Sequence, residues 1–454
     1  MGKGAMDNDL LSKYGGPVPR YTSYPTAPHF HDGIGGGTYA QWLRALRPAG
    51  GPVSLYLHVP FCRQLCTYCG CNTKITRQYG PVADYADLLA REIALVAREI
   101  PERLAVSHVH FGGGTPNILA PDDFVLLLQR LKRAFDISPE TEIAVEVDPR
   151  HLTRDMVRAM ASEGVNRVSM GVQDLNPEVQ QAINRVQPLG VVSGAIEMLR
   201  DAGIDRINLD LMYGLPEQTM ERLLRTVDLA ADLGAQRIAL FGYAHVPWMK
   251  THQRLLEKFA RAGAHGRFEQ AEAAALRLAE HGYRRIGLDH FARPGDELLT
   301  AQAAGDLRRN FQGYTTDTAE TVLAFGASSI GRLPQGFVQN APDVGGYRRA
   351  VLADTPATVK GVALDDDDRL RGGIIEALMC DMAVDLDRFG GAAAYGAELA
   401  RLHELAADGL VRIDGAKVSV PEAARPFMRV VAAQFDGYLH APAGPKGGRH
   451  SMAV

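Results

Sequence analysis

The 454-residue chain contains no apolar run near the 18 or so residues of a membrane-spanning helix, which argues against a helical membrane protein. Its opening residues, MGKGAMDNDLLSKYGG, lack the apolar stretch of a secretory leader. Gly2 follows Met1, but Met6 stands where myristoylation wants Ser or Thr. Neither sign of charge is in excess: 49 Lys and Arg face 53 Asp and Glu, for a net charge of −4. A nucleic-acid coat or membrane-surface binder would carry a stronger positive bias, although a local basic pocket for a small anion stays open. The expectation is a cytoplasmic protein, taken as a monomer, with no nucleic-acid or membrane partner. With 46% hydrophobic and 22% charged residues, neither global disorder nor a fibrous repeat fits. The length supports a large core without covalent staples.

Cysteine is scarce too, and its placement is uneven. Cys62, Cys66, Cys69 and Cys71 fall within ten residues, and Cys380 stands alone. A disulfide framework would spread its cysteines and needs an oxidising compartment. A tight cluster points to metal or redox chemistry.

From Gly51 to about Gly242 short apolar runs alternate with helical patterns. Strands are predicted at Ser54–Val59, Ser107–Phe111, Glu142–Val147, Arg167–Gly171, Arg206–Leu211 and Arg237–Phe241. Helices are predicted at Tyr85–Glu99, Asp122–Phe135, Arg154–Glu163, Val191–Ala202 and Glu221–Leu233. Six such alternations imply an α/β fold with a parallel sheet and right-handed crossovers. The pattern leaves open whether the sheet closes. In either case ligands sit at the carboxyl ends of the strands.

Residues 1–50 read as a loop-rich arm, 51–360 as the main α/β unit with its extension, and 361–440 as a mostly helical C-terminal domain. Helical text at Leu370–Met379 and Ala394–Asp408, then Leu410–Ile413 and Lys417–Val420 flanking Asp-Gly-Ala, suggests a winged-helix-like module. It lacks the basic stripe of a DNA reader. Asp365–Asp368 reads as a solvated helix start, and 441–454 as a disordered tail.

The strand Tyr56–Phe61 runs directly into CRQLCTYCGC, with spacing C-x3-C-x2-C-x-C. Closely spaced thiolates suit iron–sulfur clusters. If Cys62, Cys66 and Cys69 held a four-iron cubane, one iron would stay open to an exogenous chelate. A structural zinc site using all four cysteines is the alternative, although zinc usually takes two well-separated Cys pairs. Cys380, in an apolar helical context, reads as a buried core thiol. FGGGTPN, between a strand and a helix, permits a tight turn and close backbone approach to a ligand. Glu146, Gln173, Asp210 and Ala244 lie at or just past successive strand ends, and Arg185 follows strand four. Such a series suits a binding mouth.

The cysteine spacing resembles that of the radical S-adenosylmethionine (SAM) superfamily. PRYTSYPTA (Pro19 to Ala27), the CGCN loop ending, FGGGTP, GVQD, DLMYGLP, FGYAHVPW, DHFA, NFQGYTTD, SSIGRL and LMC occur in order between about Lys13 and Ala432. Together they resemble the bacterial oxygen-independent coproporphyrinogen III oxidases, a family of that superfamily. The resemblance implies a partial (β/α)6 TIM-like barrel. It implies anaerobic oxidative decarboxylation of two propionates of coproporphyrinogen III to the vinyls of protoporphyrinogen IX. It also implies one 4Fe-4S cluster on Cys62, Cys66 and Cys69, two SAM molecules and a flavodoxin- or ferredoxin-like electron donor. By the same resemblance Tyr56, Gly113, Glu146 and Ile330 touch the cluster-bound SAM. Tyr68, Gly114, Thr115, Gln173, Arg185, Asp210 and Ala244 touch the second. Tyr68 stands where the family often has Phe. Cys71 matches a fourth cysteine that does not ligate the cluster and is expected to play an accessory role.

A substrate with four carboxylates needs several basic or phenolic donors. Arg20 is the candidate propionate contact, on an arm whose Tyr21 and Tyr24 have little evident reason to be core. Arg284, Arg285, Arg308 and Arg309 have more diffuse support. A heme-binding chaperone of the same superfamily is the alternative, but its relatives usually lack both the CGCN ending and the PRYTSYPTA arm. A winged-helix regulator with an iron–sulfur sensor would need a basic recognition helix.

Overall fold

The computed structural model describes residues 3–440; the tail expected at 441–454 lies outside them. Six parallel strands form where the alternation placed them: β1 (Val53–Val59), β2 (Ala105–Gly113), β3 (Asp136–Val147), β4 (Arg167–Gln173), β5 (Arg206–Tyr213) and β6 (Arg237–Gly242). They neighbour one another in chain order. β1 is buried almost throughout, as a parallel strand covered on both faces should be. The helix Pro121–Ala134 shows why the connections fold as predicted. Pro121 occupies its first turn with Asp122 and Asp123, Lys132 and Arg133 occupy its last, and Phe124, Leu127, Leu128 and Leu131 are buried.

The sheet is wider than expected. Thr321–Phe325 adds a seventh parallel strand beside β1, with Val53 opposite Thr321. Beyond it run Ile330–Leu333, Gly336–Asn340 and Thr358–Ala363, and beyond β6 run His290–Ala292 and Arg284–Ile286. These flanking strands are antiparallel. Among the described residues the outermost strands do not pair with each other, so the twelve-stranded sheet is large, mostly parallel and open. The three strands from Ile330 on escaped sequence reading because each carries a glycine. A Cβ at Gly336 or Gly361 would come within 2.1 Å of a carbonyl oxygen on the neighbouring strand, so close backbone approach replaced the side-chain signal. Thr358–Ala363 also runs across the boundary drawn at 360/361.

Residues 1–50 are not the helix-free arm that their Pro and Gly content suggested. They include helices Lys3–Tyr14 and Gly36–Ala45, the latter burying Tyr39, Trp42 and Leu43 in the main core. Tyr21 and Tyr24 are buried too, inside a second core built mainly from the C-terminal module. The Tyr21 hydroxyl donates to Asp436 (3.0 Å), and the Gly437 N–H donates to the Tyr24 hydroxyl (3.0 Å). Local pattern missed this because the covering surface lies some 400 residues away in sequence. The C-terminal helices form at Asp366–Asp381 and Gly396–Ala407, and the hairpin at Arg412–Asp414 and Lys417–Ser419. A third strand, Ala383–Asp385, joins that hairpin. Asp365 caps its helix as expected, but Asp368 is buried and accepts from Tyr438 rather than facing solvent. Among the described residues no helix is long and apolar enough to cross a membrane.

One buried carboxylate ties the sheet extension to the helical layer. Glu92 is 2% exposed and accepts from Gly326 N–H (2.6 Å), the Asn340 amide (2.7 Å) and the Tyr347 hydroxyl (2.7 Å). Glu92→Ala strands three donors and should cost about 3 kcal/mol or more in urea unfolding. Burial raises this carboxyl from 4.5 to about 7. The folded chain therefore keeps a proton that the unfolded chain releases above 4.5. The associated stabilisation is full below that pH and fades as pH rises through about 7. The variant should lack that slope; an unchanged midpoint and slope would refute the role.

Candidate active site

The cysteine loop leaves the carboxyl end of β1 and is closed at its base by a short parallel ribbon. Phe61 and Cys62 pair there with Lys74 and Ile75. Each of the three expected ligands is faced by a hydrogen-bond donor. Thr115 Oγ1 lies 3.3 Å from Cys62 Sγ, and Arg185 Nη1 and Arg150 Nη2 lie 3.5 and 3.7 Å from Cys66 Sγ. The Cys71 N–H points at Cys69 Sγ from 3.4 Å. Donors to sulfur favour the thiolate and suit a soft metal cluster. Burial pushes the Cys62 thiol up to about 11. A hydrogen bond from the Cys71 side chain pulls Cys69 down to about 6, helped by the Cys71 N–H, His252 and Lys250. Cys71 itself is exposed.

Beside this loop the glycine run at the end of β2 is held close. Gly113 adopts φ +115°, and a Cβ there would meet the His58 ring at 2.7 Å; one at Gly114 would meet the Phe61 carbonyl at 2.6 Å. Only glycine lets the backbone pass. Gly113 N–H donates to Glu146 Oε2 (3.1 Å), whose other oxygen contacts His110 Nε2 (3.0 Å). Burial would raise the Glu146 carboxyl, but His110 and this N–H hold it below its ordinary value. The Tyr56 hydroxyl contacts His58 Nδ1 (3.0 Å), and its ring stacks on His110.

Tyr56, Glu146 and Asp210 line one cavity inside the sheet's curve. Asp210 accepts from Ser169 Oγ (2.9 Å) and Asn208 Nδ2 (2.8 Å), and burial with the nearby Glu146 charge raises its carboxyl to about 6. Arg185 is buried between Gly171 O (2.6 Å), Asp148 (3.4 Å) and Cys66. Gln173 lies nearby at a bulge in β4 with φ +67°, backbone strain of the kind that gathers at ligand sites. Tyr68 packs on Val179, Ile183, Leu215 and Tyr243. Ala244 lines a separate, arginine-rich cavity together with Arg20, which is 3.4 Å from Gly242 O. Ile330 lines a third, beside Tyr21 and Tyr24. Of the diffuse arginine candidates, Arg285 and Arg309 face the cavity of Ala244, and Arg308 faces that of Ile330. Arg284 is exposed. Cys380 is a core thiol packed with Ile286, Leu298 and Tyr314, as expected.

Sequence reading missed two groups. Asp148 and Arg150 form a clamp behind Cys66, at 2.6 Å. Burial would raise the Asp148 carboxyl, but Arg185 and Arg150 outweigh it and hold it at about 2. An Asp-Pro-Arg directly after β3 was the available signal. The second group is the turn Thr251–Leu256, where Lys250 Nζ donates to Cys71 O (2.9 Å) and His252 Nε2 contacts Cys69 O (2.8 Å). Fully buried Gln253 donates to Tyr68 O (2.8 Å) and Ala244 O (3.2 Å) and accepts from Val246 N–H (2.6 Å). It thereby joins the cysteine loop to the end of β6, a role with no local sequence signature.

A sequence profile of the radical SAM superfamily matches residues 56–230. The chain is 51% identical to the oxygen-independent coproporphyrinogen III oxidase of Bradyrhizobium diazoefficiens, over 99% of this chain and all of that protein. It is 42% identical to the enzyme of the same name from Paracoccus denitrificans, over 98% of each. Among solved structures it is similar to the coproporphyrinogen III oxidase of Escherichia coli, described as a radical SAM enzyme. That match has a TM-score of 0.88 and 36% identity, covering 92% of this chain and 97% of the other.

Proposed function

We propose a division of labour within this chain, which belongs to the oxygen-independent coproporphyrinogen III oxidases of the radical SAM superfamily. It is a radical SAM enzyme of heme biosynthesis. Cys62, Cys66 and Cys69 hold one 4Fe-4S cluster; the observation that carries this is the donor facing each of the three sulfurs. Bound there, the cluster and SAM supply a carbon radical able to take hydrogen from a propionate side chain.

The remaining roles belong to protein groups. Tyr56, Gly113, Glu146 and Ile330 position the cluster-bound SAM. Glu146 is held as a carboxylate ready to accept from its ammonium or ribose donors. Tyr68, Gly114, Thr115, Gln173, Arg185, Asp210 and Ala244 form the second SAM site. Gln253 supports this reading, because it fixes two of those residues to one another. Arg20 meets a substrate propionate, and Cys71 has an accessory part beside the cluster. The parallel strands act as a partial (β/α)6 barrel, and the winged-helix-like module at 361–440 covers its mouth. Residues 1–50 join that cover, and residues 51–360 carry the chemistry. An electron arrives from a flavodoxin- or ferredoxin-like donor in the cytoplasm, to a monomeric enzyme.

Counting bound SAM tests the second site. Asp210→Asn should leave iron and sulfide intact yet lower SAM from two equivalents toward one. Arg185→Gln should do the same, but its contact with Cys66 makes it the less clean variant. If both still bind two equivalents with wild-type affinity, the second site is elsewhere.

A further inference from the structure

At the β5–β6 side of the mouth, a cavity of about 470 Å³ opens between the strand ends, the arm and the C-terminal module. Among the described residues Arg20, Arg267, Arg285, Arg309 and Arg429 line it, against the carboxylates of Glu272 and Asp289. Both carboxylates are engaged. Glu272 pairs with Arg285 (3.0 Å), while Asp289 lies 3.6 Å from Arg309 and 2.8 Å from His290 Nδ1. Among the described residues Arg267 Nε and Arg309 Nε are buried with no hydrogen-bond partner. The Arg267 side chain lies over the glycine just past β5 and the glycine that ends β6. A Cβ on Gly214 would meet its Nε at 3.0 Å, and one on Gly242 its Nη2 at 3.2 Å. Arg429 is 5% exposed, and burial together with the Arg20 charge lowers its guanidinium to about 10. Five guanidinium groups around two carboxylates leave the cavity with an excess of positive charge, which suits an anionic ligand.

We infer that this cavity is a carboxylate clamp, in which Arg267 and Arg429 hold propionates of the macrocycle that are not reacting. The inference rests on coproporphyrinogen III being the substrate. Phe241 lines both this cavity and the one containing Tyr56, Glu146 and Asp210. A flat tetracarboxylate spanning the two places one rim toward the radical source and another among the arginines. Guanidinium suits the task because its fork grips a carboxylate through two parallel hydrogen bonds. The clamp has two halves: Arg267 belongs to the helix Ala264–Glu280, and Arg429 to the C-terminal helix Met428–Ala433. Phe268, in the first helix, packs at a tilt against Phe427, the residue just before the second, with ring centroids 6.3 Å apart.

The test compares reconstituted wild-type enzyme with Arg267→Gln, Arg429→Gln and Arg429→Lys under anaerobic conditions. Each Gln variant should raise the KM for coproporphyrinogen III about tenfold to a hundredfold. Iron content and substrate-free release of 5′-deoxyadenosine should be unchanged. Arg429→Lys should fall between, having charge without the fork. Wild-type KM in both Gln variants overturns the clamp, as does a fall in kcat with KM unchanged. If Arg429→Gln loses iron, the half-buried Arg267 decides alone. Fluorescence titration with coproporphyrin III separates the two readings. A wild type that binds this tetracarboxylate through Arg267 and Arg429 but converts no coproporphyrinogen keeps the clamp and removes the substrate assignment. A wild type that converts substrate while the Gln variants bind the probe equally well removes only the clamp.

Discussion

Serine in place of Cys62, Cys66 or Cys69 should abolish decarboxylation and leave a protein that does not retain iron and sulfide on anaerobic reconstitution. Cys71→Ser should keep both. The expectation follows from what surrounds each sulfur. Cys62 takes Thr115 Oγ1, Cys66 takes Arg150 and Arg185, and Cys69 takes the Cys71 N–H, so three thiolates are each stabilised by protein donors. A serine hydroxyl is a harder and far less acidic ligand, poorly matched to iron in a sulfide cluster. Cys71 is exposed, and its contribution runs through its N–H and thiol toward Cys69, most of which a serine can still supply. Iron and acid-labile sulfide assays on the four variants decide the matter. Equal loss at Cys71 would return a four-cysteine site to consideration.

Deleting residues 1–28 should also end turnover, for a reason different from the one the sequence suggests. A surface arm would be removed at little cost to packing. This arm instead places Tyr21 and Tyr24 in the C-terminal core, with hydrogen bonds to Asp436 and Gly437. Emptying a buried aromatic site typically costs about 3–5 kcal/mol, so the C-terminal module should loosen and the thermal midpoint fall. The cysteine loop and sheet belong to a different core, so the cluster should still assemble and SAM should still be cleaved slowly without substrate. Arg20→Ala separates the two roles. Its side chain faces the arginine-lined cavity while the tyrosines stay in place, so KM should rise with the thermal midpoint unchanged. A truncated enzyme with normal turnover would reduce the arm to packaging. One that cannot hold its cluster would make it part of the main fold.

The parts of the site read most directly from sequence are those in which neighbouring residues act together. The three candidate cluster cysteines sit in one loop, and the glycines at 112–114 declare a close backbone passage that the His58 ring and Phe61 carbonyl confirm. Glu146 and Asp210 were visible as polar residues ending apolar strands, and they line one cavity. Arg185 was expected at the second SAM; in the fold its side chain is engaged with Gly171, Asp148 and Cys66. Its role depends on residues that no spacing connects to it. Gln253 is similar: it is one polar residue in a turn until the fold brings Tyr68 and Ala244 to its amide.

Periodicity and punctuation thus determined six strands, their covering helices and the loop where the chemistry begins, because those signals are written within one element or one turn. They also determined the family resemblance, because ten short motifs keep their order along the chain. Tertiary structure alone decided the seventh parallel strand, the burial of Tyr21 and Tyr24, and the meeting of Arg267 with Arg429 at one cavity. An amphipathic pattern reports that a face will be buried, but it carries no information about which distant segment covers it. Side chains at the mouth of a parallel sheet become neighbours only after the crossovers have folded.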